Sequence, residues 1–271
     1  DFKPLNVTGN ITLEDAPLEF ALVDGDDHTS YQKFESGATV LTSKTVDLST
    51  IKVADESVPE KQVLADHTLA RVGSDVKIMP AAFKLSHQNN TKVVDDGTYA
   101  LWSDVLAKIA ETAKTDKECI YTIDLLSDAD IGGAFTMPKA GTYKRIDFDS
   151  YYNTFTLKFT GNITATGDMN FYDIKLESQK NGSPANFTIT TKYDMTVSEL
   201  SSDTLTAING STKSTIVFYA PTLGTSMVYT ANYAVNNFEN VDIKCTVKFN
   251  NTVKNKNLIF ENAALLLTGK N

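Results

Sequence analysis

Three segments far apart in the chain share one phrase: "MNFYDIKL" at 169–176, "NNFENVDI" at 236–243 and "LIFENAAL" at 258–265. Each places a Phe two residues in, then a polar residue, then Asp or Asn, then apolar positions two apart. Phe238 and Phe260 are 22 residues apart, and Phe171 precedes Phe238 by 67, close to three such steps. Interpolation puts the missing members near 193 and 216, where "KYDMTV" (192–197) and "TIVFYA" (215–220) also read as strands. One step back from Phe171 reaches Phe148 in "RIDFD".

A beat of roughly 20–25 residues on short strands is the signature of a repeat architecture, because one unit cannot bury its apolar face alone and must stack on its neighbours. Between the strands lie turns such as "KNGSP" (180–184) and "ATGD" (165–168), with no helical periodicity. This argues against βαβ units and points to an all-β chain. The expected fold is a right-handed parallel β-helix, a solenoid, with an irregular β-sandwich as the alternative. The short string "TGNIT" recurs at 8–12 and 160–164, a shared strand-and-turn need rather than a shared unit.

One segment departs from this pattern. In "ALWSDVLAKIAETAK" (100–114), Leu101, Val105, Leu106 and Ile109 recur at helical spacing, and Ser103 or Asp104 can cap the start. A helix near 101–114, just before "CIYTIDLL" (119–126), is placed to cover the open first coil. Trp102, the single Trp, reads as its packing anchor, with carbohydrate stacking as the functional alternative. Residues 1–95 show strand patterns without the beat and are expected to form a smaller β region. The β-helix is assigned to 96–271, and the polar stretch 87–100 reads as a link.

Composition narrows function. The formal charge of −9 repels phosphate backbones and anionic membrane surfaces, so neither nucleic acid nor membrane insertion is expected. No apolar run reaches about 20 residues. Cys119 and Cys245 form no metal pair and no disulfide scaffold, and no cofactor is expected. The chain is rich in Thr, Asn, Ser, Asp and Tyr, and Arg71 and Arg145 are its only arginines. That balance suits an extracellular bacterial β protein. Sequons at Asn10, Asn162, Asn186 and Asn209 are expected by chance from the Asn/Thr content, the alternative being a glycosylated eukaryotic surface. The chain opens at "DFKPL" without Met and stops at "ENAALLLTGKN" without a polar cap. It is expected to be a piece of a longer chain, or to pair with another molecule at that end.

The order of a Trp-containing helix, "YTIDLL", "YKRIDF" and "TLKFTGNITATGDMNFYDIKL" resembles the β-helix-like repeat regions of large adhesin-like cell-surface proteins from anaerobic Gram-positive gut bacteria. The resemblance covers about 100–271 and rests on strand phrasing. It implies a non-catalytic surface or adhesion module, extracellular and at the cell surface, with a glycan or a host surface or matrix protein as partner.

The alternative is a β-helix polysaccharide lyase or glycoside hydrolase, which needs converging carboxylates. The best local cluster is "YKRIDFDSYY" (143–152). Alternation sends Arg145, Asp147 and Asp149 to one face and Ile146 and Phe148 inward, with Tyr151 and Tyr152 at the turn. Asp173, 26 residues after Asp147, is expected one coil on. Tyr143, Arg145, Asp147, Asp149, Tyr151, Tyr152, Tyr172 and Asp173 are thus the candidate binding residues, the alternative being a solvated face of Arg–Asp pairs. His28, His67 and His87 are scattered, and "DGDDH" (24–28) lacks the spacing of a calcium loop. No catalytic residue is assigned.

Overall fold

The computed structural model describes residues 5–6, 18–24, 30–32, 35–54, 66–89, 92–210, 215–219, 222–223, 228–231, 235–239, 246–249 and 257–261, with side chains described up to 210 except at 21–34 and 54, and beyond it at 216, 217 and 219. The first "TGNIT", Asn10, His28 with most of its acidic loop, Cys245, the chain after 261 and the side chains of Phe238 and Phe260 lie outside the described residues. The fold is mostly β, with a single α-helix among the described residues. Residues 1–82 and 98–104 form one compact unit, and 83–97 with 105–271 form another.

In the first unit, Leu5–Asn6, Thr39–Thr42, Asp75–Pro80 and His67–Val72 make one sheet, and Ser30–Gln32, Leu18–Asp24 and Ile51–Ala54 another. Its core is Phe20, Val40, Leu41, Ile51, Val53, Val76 and Ile78 with neighbours. The Arg71 guanidinium donates to the carbonyls of Ser43 and Val46, satisfying two loop acceptors.

In the second unit, successive strands pair in parallel across three sheets. The longest runs in the order Phe83–Asn89, Ile120–Leu125, Arg145–Asp149, Asp168–Tyr172, Met195–Ser198, Thr215–Tyr219, Val235–Glu239 and Asn257–Glu261, with Lys92–Tyr99 at the outer side of the first. Within this long sheet, only the pairing of Phe83–Asn89 with Ile120–Leu125 is antiparallel among those whose register is described. The stretch 87–100, expected as a link, is therefore largely strand. Its polar part Lys92–Tyr99 forms the end strand of the described sheet, with Phe83–Asn89 as its neighbour.

Backbone register puts Ile123, Phe148, Phe171, Val197, Phe218, Phe238 and Phe260 in one line. Each step along the chain is 20 to 26 residues. Ile123, Phe148, Phe171 and Val197 are fully buried, and the Phe148 and Phe171 rings stack at 5.4 Å. Such a pair adds about 0.5–1.5 kcal/mol beyond its area burial. The longest step, Phe171 to Val197, contains a hairpin in which Lys180 pairs with Ser183 around Asn181 and Gly182. That excursion moves the member expected near 193 to Val197. Phe135 joins Phe148 and Phe159 at 5.5 Å each, and Phe159 meets Phe187 edge-on at 5.1 Å.

The helix Trp102–Thr112 carries Asp104 in its first turn, where the helix dipole favours an anion. Trp102, Val105 and Ile109 are its buried stripe, continued by Ala113 just past its end, while Leu101 and Leu106 are half-buried. The sequence stripe therefore rotates toward Trp102, which is buried as a packing residue.

Candidate functional site

Strand alternation sends Tyr121, Ile123 and Leu125 inward and leaves Ile120, Thr122 and Asp124 on the other face of the long sheet. The same alternation places Arg145, Asp147 and Asp149, then Asp168, Asn170 and Tyr172, then Thr196 and Ser198. Register arranges these as rows: Gln88, Ile120, Arg145 and Asp168; Ser86, Thr122, Asp147, Asn170 and Thr196; Lys84, Asp124, Asp149, Tyr172, Ser198 and Tyr219.

The middle row closes on itself. Arg145 Nε donates to Asp147 Oδ1 at 2.9 Å, and its Nη2 donates to Oδ2 at 3.0 Å. Asn170 Nδ2 donates to Asp147 Oδ1 at 2.7 Å, and Asn170 Oδ1 accepts from the Thr196 backbone N–H at 2.8 Å. The Asp147 carboxylate is thus occupied by its own neighbours. The residue beside Asp147 is Asn170. Asp173 sits one position beyond the Asp149–Tyr172 register pair, and its carbonyl accepts from the Ser150 hydroxyl. Its carboxyl instead meets Glu199, whose own pKa is raised first by their shared hydrogen bond and then by burial. Both residues have left-handed backbone, with φ of 52° at each.

Tyr143 is buried. Its hydroxyl pairs with Thr166 Oγ1 at 2.8 Å, which in turn donates to the Pro138 carbonyl at 2.7 Å. Burial pushes the phenol's pKa up. Burial also raises the Tyr172 phenol, with Asp147 adding to the effect.

The remaining candidates gather at the end of the third row. Asp124 is only 6% exposed, and its Oδ1 has no hydrogen-bond partner among the described residues. Its pKa is raised to about 6, chiefly by burial and then by the neighbouring Asp149, while Lys84 and a hydrogen bond from Tyr151 act in the opposite sense. Asp149 Oδ1 accepts from the Tyr151 backbone N–H at 2.8 Å. Tyr151 and Tyr152 follow in left-handed conformation, with φ of 46° and 66° and exposures of 58% and 85%. Non-glycine residues seldom hold that backbone, and such strain concentrates at binding sites. Burial and the two carboxylates raise the Tyr151 phenol.

Of the eight sequence candidates, Asp149, Tyr151 and Tyr152 come together, Arg145 and Asp147 pair beside them, and Tyr143, Tyr172 and Asp173 are engaged elsewhere. Sequence reading missed Asp124, hidden in the apolar phrase "YTIDLL", and Asn170. The signal for Asp124 was its register with Asp149, which only strand pairing supplies. No group of three or more His, Cys, Asp or Glu residues able to hold a metal occurs among the described residues. Their helix is too short and polar to cross a membrane. His87 Nδ1 lies 2.6 Å from Asp96 Oδ2 beside the Tyr121 ring, and His67 pairs with Asp66, so both read as structural. No family model, curated protein or solved structure matches the chain.

Proposed function

We propose that residues 118–271 wind as a right-handed parallel β-helix, with the helix near 101–114 as its cap. What supports this is the parallel in-register line from Ile123 to Phe260, since a sandwich pairs its strands antiparallel. A crystal structure tests the winding: a left-handed course, or loss of the Phe148–Phe171–Val197 line, overturns it.

On this scaffold the protein acts as a non-catalytic, adhesion-like module at a bacterial surface, and its ligand is a glycan. The observation that carries this reading is the Tyr151–Tyr152 pair, exposed beside the Asp124 and Asp149 carboxylates. Aromatic rings receive the apolar face of a sugar, and carboxylates accept from its hydroxyls. The extracellular placement rests on the Thr/Asn-rich, acidic composition and on the resemblance of 100–271 to adhesin-like repeat regions. A glycan array with the parent, Tyr152→Ala and Asp149→Ala tests the site. Binding that survives both changes removes this corner from the account.

One observation favours the enzymatic alternative. A carboxyl raised to about 6 beside a second carboxylate is the pattern of a general acid with its partner. Release of reducing or unsaturated ends from a polysaccharide, lost in Asp124→Asn, would establish a lyase or hydrolase instead.

A further inference from the structure

We propose that the Asp124–Asp149 corner binds a protonated amine, and that the ligand is therefore a glycan with free amino groups, a hexosamine oligomer. This narrows the glycan reading above and rests on it.

The first argument is the unpartnered acceptor. Asp124 is more than nine-tenths buried and its Oδ1 meets no donor among the described residues. A buried acceptor without a donor is costly, and a ligand donor removes that cost. The second argument is charge. Asp124 and Asp149 are register partners, so their backbones lie only about 4.8 Å apart. The groups facing Asp124 are Asp149 from the adjoining strand, Tyr151 from the turn after it, and Lys84 and Asp95 from the antiparallel side. Lys84 is the one cation in that set. Its Nζ lies 3.7 Å from Asp95 Oδ2, and both side chains extend into solvent. Its charge is shared with Asp95, which leaves the buried Asp124 and the half-buried Asp149 short of a cation.

The identity of that cation follows from ligand count. A calcium ion takes about six to eight oxygens, more than two carboxylates and a phenol supply. An ammonium has three donors and no need of further ligands. Two carboxylates satisfy it, and the face of Tyr151 or Tyr152 adds a cation–π contact. The sugar ring carrying the amine then rests on the second tyrosine. Tyr151, more than half exposed on strained backbone, can turn away from Asp124 to admit the amine.

Glucosamine tetramer, its N-acetylated counterpart and a cellotetraose of the same length are titrated calorimetrically into the parent, Asp124→Asn, Asp149→Asn and Tyr152→Ala. The amine form is expected to bind the parent at about pH 7 at least about tenfold more tightly than the other two, as loss of a charge-assisted hydrogen bond predicts. Asp124→Asn and Asp149→Asn should each remove that preference, and lowering the pH to about 4.5 should do the same in the parent, because protonated Asp124 no longer attracts a cation. If all three saccharides bind alike and Tyr152→Ala abolishes binding, the amine assignment falls and the glycan reading stands. If the amine preference persists in both Asn variants, the assignment to this corner falls. If none binds the parent, both readings fall.

Discussion

Asp124 occupies a position that sequence alternation alone would place on a solvated face. Tyr151 and the neighbouring strands bury it, and its carboxyl holds a proton up to about pH 6 against a usual value of 3.8. The native state therefore binds this proton more tightly than the unfolded chain. The resulting stability is fully present below about pH 4 and is lost as pH rises through about 6, a total on the order of 3 kcal/mol. Urea unfolding of the parent across this window should show that decline. Asp124→Asn, neutral throughout, should flatten it and leave the variant the more stable protein at neutral pH. An unchanged slope in the variant would mean that Asp124 is not the titrating group. Asp147 makes the contrast. It drew attention in the sequence because Arg145 stands two residues away, yet that Arg and Asn170 saturate it.

At the scale of elements, two turns carry testable conflicts. Gly167 lies against the Tyr143 ring, where an added Cβ would stand 2.7 Å from a ring carbon. The ring is buried and its hydroxyl is tied to Thr166, so it has little room to yield. Gly167→Ala should cost about 1–3 kcal/mol by overpacking, read from the urea midpoint. Glu199 is the reverse case: a non-glycine residue at φ 52° whose carboxyl crowds that of Asp173. Asn tolerates this backbone better, so Glu199→Asn should gain about 1 kcal/mol. A loss would show that the Asp173–Glu199 hydrogen bond outweighs the strain. The strands themselves were legible because "RIDFD" and "MNFYD" alternate and "TIVFY" is a run of β-branched and aromatic residues. The in-register line was legible where its member is Phe and obscured at Val197, where aliphatic identity and the extra hairpin break the count. The strand Lys92–Tyr99 was missed because its sequence, "KVVDDGTY", is polar and none of its residues is fully buried. The site was legible only in part, since Asp124 joins Asp149 through register and neither position announces the other.

At the scale of the whole molecule, the second unit is held together by neighbours one step apart. Phe148 and Phe171 touch, whereas Ile123 and Val197 are three strand spacings apart, about 14 Å. Double-mutant cycles should therefore give a coupling of about 0.5–1.5 kcal/mol for Phe148→Ala with Phe171→Ala, and additivity within about 0.5 kcal/mol for Ile123→Ala with Val197→Ala. Comparable coupling in both cycles would show that strain spreads well beyond adjacent strands. The in-register line has one more consequence. Parallel pairing without offset sets each residue beside its own counterpart, so resemblance between segments becomes contact between side chains. Where the shared residue is aromatic, a copied segment brings its own adhesive. Where the shared residue is an acid, the copy meets itself as a repulsion, as at Asp124 with Asp149 and Asp173 with Glu199. A gene that lengthens such a chain by duplication extends its core at once and inherits a charge conflict on its outer face. Asn170 beside Asp147 shows how a row escapes it: the neighbour of the carboxylate is an amide, which donates to it.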